Sequence, residues 1–185
     1  LTGQNPKGER TNAETKAIIE KEHPGMLKSL FICCGLVLFT SCTDHLAYSK
    51  VKSTQNGQWH KERVMEFTFS ELDTTQAYNM FITLRNDQEY PYNNLFVIAE
   101  LTSPEGASER DTLEYQMADA MGNWLGSGYG SVRENKLWYK ENIVFPNTGV
   151  YTVTVAHAMR KNGSTDGLEA LPGVLDIGLQ IEKNP

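Results

Sequence analysis

Few residues in this chain are spaced for chemistry. Its three histidines downstream of residue 42 are His45, His60 and His157, far apart and without HxH or HExxH spacing. They offer no zinc ligand set, which needs several donors converging at short spacing. The acids Asp111, Glu114, Asp119 and Asp176 invite a glycosidase reading, which would need two carboxylates about 5 Å or about 6.5–9.5 Å apart. Acids beside strands are usually solvated, and nothing in their spacing forms such a pair. The run Gly126-Ser127-Gly128-Tyr129-Gly130 is neither a GxSxG elbow nor a phosphate loop, because no Lys-Ser/Thr follows it. We therefore expect no catalytic residue, no metal site and no cofactor.

Aromatic residues in loops are the other candidates. Tyr90-Pro91-Tyr92 and the stretch from Gly122 to Ser131, which holds Trp124 and Tyr129, combine rings with proline or glycine. Such segments either pack as connections or present a recognition surface for a protein or a glycan. Tyr90, Tyr92, Trp124 and Tyr129 are the possible binding surface.

One residue has a definite chemical prospect. The cysteines are Cys33, Cys34 and Cys42, with none further along. Before Cys42 stands Met26-Leu-Lys-Ser, then an apolar run from Leu30 to Phe39, then Thr40-Ser41. Ten apolar residues make about 15 Å of helix, half of what a permanent membrane span needs. With one lysine ahead and small residues behind, the run reads as a secretory signal with cleavage before Cys42. Phe39-Thr40-Ser41-Cys42 looks like a bacterial lipobox, with Phe39 where Leu is more usual. Cys42 is then the lipidation site, palmitate or similar chains anchoring the protein to a membrane, since two or more chains hold where one holds only marginally.

The expected organisation follows. Residues 1–25 are polar and read as a mis-assigned upstream extension, with Met26 as initiator; 26–41 is the signal peptide, 42–57 a polar tether, and 58–185 the folded domain. Cleavage would leave 144 residues, enough for one sizeable core. Those residues carry twelve basic and nineteen acidic side chains, net −7. No basic stripe is present, so nucleic acid is not an expected partner.

Period-two alternation, the mark of half-buried strands, recurs over 59–69, 77–85, 111–119, 150–158 and 174–182. Residues 95–101 are nearly continuous and apolar, as in a central strand, while 135–145 is ambiguous. Turn signals such as Asn56-Gly57, Ser103-Pro104-Glu105-Gly106 and Asn162-Gly163 separate them. Seven or eight strands with hardly any amphipathic helix predict an all-β, two-sheet β-sandwich, jelly-roll-like or Ig-like.

Several segments stand in a set order: Leu84-Arg85-Asn86, Tyr90-Pro91-Tyr92-Asn93-Asn94-Leu95-Phe96, Asp111-Thr112-Leu113-Glu114-Tyr115 and Gly122-Asn123-Trp124-Leu125-Gly126. His157-Ala158-Met159-Arg160 and Gly173-Val174-Leu175-Asp176-Ile177 follow. In that order they resemble one family, the gliding-motility lipoproteins called GldH, of the Bacteroidetes, and the resemblance covers nearly all of the chain from Met26 onward. It implies a non-catalytic envelope lipoprotein of the gliding and type IX secretion machinery, binding or positioning partner proteins. The implied location is the outer membrane, facing the periplasm. A carbohydrate-binding surface is the alternative.

Overall fold

The computed structural model describes residues 45–184. These form ten strands: β1 (Leu46–Ser53), β2 (Gln58–His60), β3 (Met65–Phe69), β4 (Ala77–Asn86), β5 (Asn94–Thr102), β6 (Ser108–Gln116), β7 (Arg133–Val144), β8 (Tyr151–His157), β9 (Ala170–Pro172) and β10 (Val174–Lys183). No helix occurs among the described residues. One four-stranded sheet has the order β1-β10-β4-β7, the other β3-β8-β5-β6, and β2 with β9 makes a short ribbon. All pairs are antiparallel.

The pairs are nested. β5 joins β6, β4 joins β7, β3 joins β8, β2 joins β9 and β1 joins β10. The chain thus runs out and back as one long hairpin, with its tip at the turn between β5 and β6. Rolling that hairpin adds the β4–β10 and β5–β8 pairs. Of the two expected sandwich types this is the jelly roll.

Alternation built the core as expected. Tyr78, Met80, Ile82 and Leu84 of β4 point inward, as do Leu95, Val97, Ala99 and Leu101 of β5 and Val153 and Val155 of β8. They meet Met65, Phe67 and Phe69 of β3 and Ile177, Leu179 and Ile181 of β10 in one apolar cluster. A register shift after Val174 turns that residue into the core and leaves Leu175 half-buried.

Three expectations are corrected. Leu46–Ser53, expected within the tether, is edge strand β1, paired along its length with β10. Its side chains are mostly exposed, so its sequence carries no burial period; backbone pairing holds most of it, with Ala47 and Tyr48 packing against the core. The single strand expected over 59–69 is two, β2 and β3, broken at Lys61–Val64. The ambiguous 135–145 is the longest strand, β7, whose alternation is interrupted where its register against β4 shifts around Met80.

Both open sides of the sandwich are closed by side chains. Lys140 of β7 reaches Glu109 and Asp111 of β6 at 2.8 and 2.9 Å, and the Tyr115 hydroxyl donates to the Trp138 carbonyl at 2.6 Å. Opposite, Tyr48 of β1 packs on Phe69 of β3 with ring centroids 5.5 Å apart.

Nested pairing also sorts the loops between two ends. The near end holds His45, whose carbonyl accepts a hydrogen bond from Lys183 N at 2.7 Å, with loops 70–76, 103–107 and 145–150. The far end holds loops 54–57, 61–64, 87–93, 117–132 and 158–169. There Asn56 (φ 52°) and Gly57 (φ 68°) make the tight hairpin turn that the Asn-Gly pair foretold.

Gly173 knits this far end together. Its N–H donates to the Gly57 carbonyl and its carbonyl accepts from Asp87 N, both at 2.9 Å. Its φ is +74°, and a Cβ there would overlap the backbone of Glu89 and Tyr90. Gly163 has a similar φ of +79° but open space around it. Gly173→Ala is therefore expected to cost at least about 2 kcal/mol and Gly163→Ala only about 1 kcal/mol, the backbone term alone. Urea midpoints of the two variants check this.

Candidate functional site

The far end collects most of the residues singled out in sequence. Tyr90 lies in the core, its hydroxyl donating to the Asn94 carbonyl at 2.8 Å. Burial pushes its phenol pKa well above the ordinary value, with the neighbouring Tyr92 adding to the shift. Tyr92 meets it edge-on at 5.7 Å, and the tilted ring of Trp124 lies 5.9 Å from it. Three of the four candidates therefore form one cluster of rings, with Tyr92 and Trp124 half-buried. Tyr129 stands apart from that cluster and is fully exposed.

The glycine-rich loop that carries Trp124 and Tyr129 is fixed from within. Asp119 accepts from the backbone N–H groups of Met121 and Asn123, both at 2.8 Å, and from Asn123 Nδ2 at 2.9 Å. Those bonds, led by the Asn123 side chain, hold the Asp119 carboxyl below the usual carboxylate range. Leu125 N donates to the Met117 carbonyl, and Ser127 exchanges two backbone bonds with Glu134. Arg133 Nη1 then reaches the carbonyls of Gly130 at 2.9 Å and Val132 at 3.1 Å. Gly128, with φ +142°, passes so close to the Val132 carbonyl that a Cβ would stand 2.6 Å from that oxygen.

What this frame presents is apolar. Met121 is 85 %, Leu125 56 % and Tyr129 101 % exposed, three large side chains on one stitched loop. Holding such groups in place lowers the ordering cost of binding a partner.

Beside the loop lies a cleft of about 810 Å³ on the outer face of the β3-β8-β5-β6 sheet. Tyr92, Asn94 and Phe96 line one side, and Arg160, Lys161 and Asn162 of the 158–169 loop line the other. Met159 backs it, accepting from Phe96 N at its sulfur at 3.2 Å. Rings with amides and a guanidinium suit a polar ligand carrying some apolar surface.

The acids flagged for hydrolysis are engaged elsewhere. Asp111 binds Lys140, Asp119 binds its own loop, and Glu114 accepts from Asn94 Nδ2 at 2.9 Å. Asp176 is buried, paired with Arg85 and accepting from Ser53 Oγ at 2.5 Å. Among the described residues no group of three or more His, Cys, Asp or Glu side chains converges to hold a metal ion.

Comparison with known proteins assigns the family. The GldH lipoprotein family pattern matches residues 46–181. A "gliding motility lipoprotein GldH homolog" of Christiangramia forsetii is 44 % identical over 80 % of this chain and 91 % of its own length. "Gliding motility lipoprotein GldH" of Flavobacterium johnsoniae is 41 % identical over 83 % of this chain and 94 % of its own. The chain belongs to the GldH lipoprotein family.

Among solved structures, the infectious bursal disease virus VP2 subviral particle gives a TM-score of 0.33 at 14 % identity. It covers 73 % of this chain and 30 % of the viral one. A second VP2 structure, of the Gx strain, gives 0.34 at 11 %, covering 74 % and 29 %. This chain thus spans under a third of those proteins, and the likeness supports no functional assignment.

The span matched by the GldH family includes every far-end loop, whereas Cys42 precedes it and lies, with the 26–41 segment, outside the described residues. Sequence reading named none of Met121, Leu125, Arg133 and Arg160 as a binding residue, although Leu125 and Arg160 stand in segments that carry the resemblance. Met121 and Leu125 are apolar residues in a glycine-rich, periodless stretch, which is the one signal that could have marked them as unburied. It also passed over Trp138, 53 % exposed on β7 and packed on Phe81 at 4.4 Å.

His157 occupies the core beneath the β2–β9 ribbon, its ring 5.4 Å from that of Trp59. Neither ring nitrogen has a hydrogen-bond partner among the described residues. Burial, helped by the positive potential of His60 and Lys61, pushes its pKa down to about 4 from 6.5. Between those values the unfolded chain takes up a proton that the folded one refuses, so stability falls as pH drops from 6.5 towards 4. The loss attributable to His157 is on the order of 3 kcal/mol. Urea unfolding across this range should show His157→Leu with a correspondingly shallower pH dependence than the native protein.

Proposed function

We propose that this GldH-family lipoprotein is held to the outer membrane by acyl chains on Cys42, with its β domain in the periplasm. It serves gliding motility and the associated type IX secretion by binding and positioning partner proteins, without catalysis of its own. The observation that carries the reading is the 117–132 loop, a backbone tied down by Asp119 and Arg133 that offers Met121, Leu125 and Tyr129 to solvent. Rigid aromatic and apolar anchors of this kind are what protein interfaces concentrate their binding energy in. The gliding context comes from the names of the two relatives. The non-catalytic part is supported by the acids, each of which spends its charge on a structural partner.

A second reading, a carbohydrate-binding surface, has the cleft beside Tyr92 and Arg160 in its favour. The two readings separate in one experiment in the native host. The triple variant Met121→Ser, Leu125→Ser, Tyr129→Ala touches no core residue and should accumulate normally. It is expected to lose gliding and the co-purification of envelope proteins, while Tyr92→Ala with Arg160→Ala keeps both. The reverse pattern, with loss only in the cleft variant, would replace protein docking by glycan binding.

A further inference from the structure

The near end of the sandwich has a role that the partner-binding reading leaves open. His45 is already tied to the sheet through Lys183 N, so only Thr43 and Asp44 separate Cys42 from a fixed point. Three peptide units extend to about 11 Å at most. A domain whose long strands run ten to twelve residues, about 30–40 Å, cannot stand clear of a bilayer on so short a lead. Whichever surface surrounds His45 is thus brought to within about the depth of a headgroup layer.

That surface is suited to the contact. Leu46 is 42 %, Val144 46 % and Val150 57 % exposed, and each lies at the near end, at the start of β1, the end of β7 and the entry to β8. The loops between them are braced against each other: a Cβ on Gly149 would meet Pro104 Cβ at 2.8 Å. Glu71, Asp73 and Glu105 belong to the same end, against the single Lys183 that closes β10, and hydrogen bonds from Thr75 hold the Asp73 carboxyl below its usual range. The three acids outweigh that one lysine and oppose anionic lipid, so the rim fits a zwitterionic headgroup layer rather than an acidic one.

We propose that the near end, with Leu46, Val144 and Val150 at its rim, rests on the zwitterionic lipid surface, and that the sandwich stands end-on with its far-end loops about 30 Å out. This rests on the lipidation of Cys42. It differs from the docking reading in assigning a surface to lipid and an orientation to the domain.

The mature chain has no cysteine beyond Cys42, so a second one can be labelled uniquely. Lipidated protein carrying Val150→Cys or Tyr129→Cys, each bearing an environment-sensitive fluorophore, is reconstituted into phosphatidylcholine vesicles with nitroxide-headgroup lipid. The fluorophore at Val150 is expected to lose most of its emission and that at Tyr129 none, and adding phosphatidylglycerol should weaken the quenching at Val150. Both positions are exposed, so neither variant should disturb folding. Equal quenching, stronger quenching at Tyr129, or none at either on protein that carries lipid and floats with the vesicles would overturn the orientation and leave the anchor standing. Protein that carries no lipid at Cys42 in its native host would remove the anchor and this proposal together.

Discussion

From the hydrogen bond between Lys183 N–H and the His45 carbonyl, the chain pairs inward on itself, β1 with β10, β2 with β9, and on to the β5–β6 turn. Backbone N–H and C=O groups brought between two apolar layers must find partners, and in this fold they find them in a nested series. Antiparallel nesting leaves no freedom over where the connections go. Along the eight long strands the connections fall at one end and then the other, with the short β2–β9 ribbon inserted at the far end, and each end receives its loops from both sheets. The position of every candidate residue is a consequence of that pairing rather than of its own neighbours.

Division between ends then becomes division of labour. The end that begins at His45 is short-looped and braced, with Pro104 against Gly149. The opposite end carries the long 117–132 and 158–169 segments, the ring cluster Tyr92–Tyr90–Trp124 and the open cleft. Length there does not mean looseness. Asp119 and Arg133 satisfy loop backbone groups that a glycine-rich stretch would otherwise leave to water, and Gly173 ties the turns of three connections. A loop so stitched can display apolar side chains without letting them collapse onto the core, which is the state a docking surface requires.

How much of this could be read from residues alone depended on burial. Strands β3, β4, β8 and β10 face the core on one side, so burial imposed a period of two that the sequence displays, whereas β5 is apolar almost throughout and reads as a central strand. β1 escaped because an edge strand with mostly exposed side chains is held chiefly by its backbone, and the inward contacts of Ala47 and Tyr48 are too few to set a period. β7 was blurred by the register shift near Met80, which breaks the alternation midway. The aromatic loop residues were identifiable as a group, but whether a tyrosine points in or out depends on contacts distant in sequence. The backbone of Tyr90 passes against Gly173, more than eighty residues further along, and its ring joins the core cluster while Tyr129 is bare. The stitching by Asp119 and Arg133 is local in sequence, but it was beyond reach because it depends on backbone N–H and carbonyl groups whose direction only the folded loop sets.

The central claim is that anchoring and recognition occupy opposite ends of one rolled hairpin. Photocrosslinking in the living host tests it most directly, with a benzophenone amino acid placed singly at Leu125 or Tyr129 on the far end and at Glu71 or Thr148 on the near end. Discrete higher-mass protein adducts from the first two positions and none from the last two are the result expected. Protein adducts from the near-end positions, with none from the far end, would contradict it.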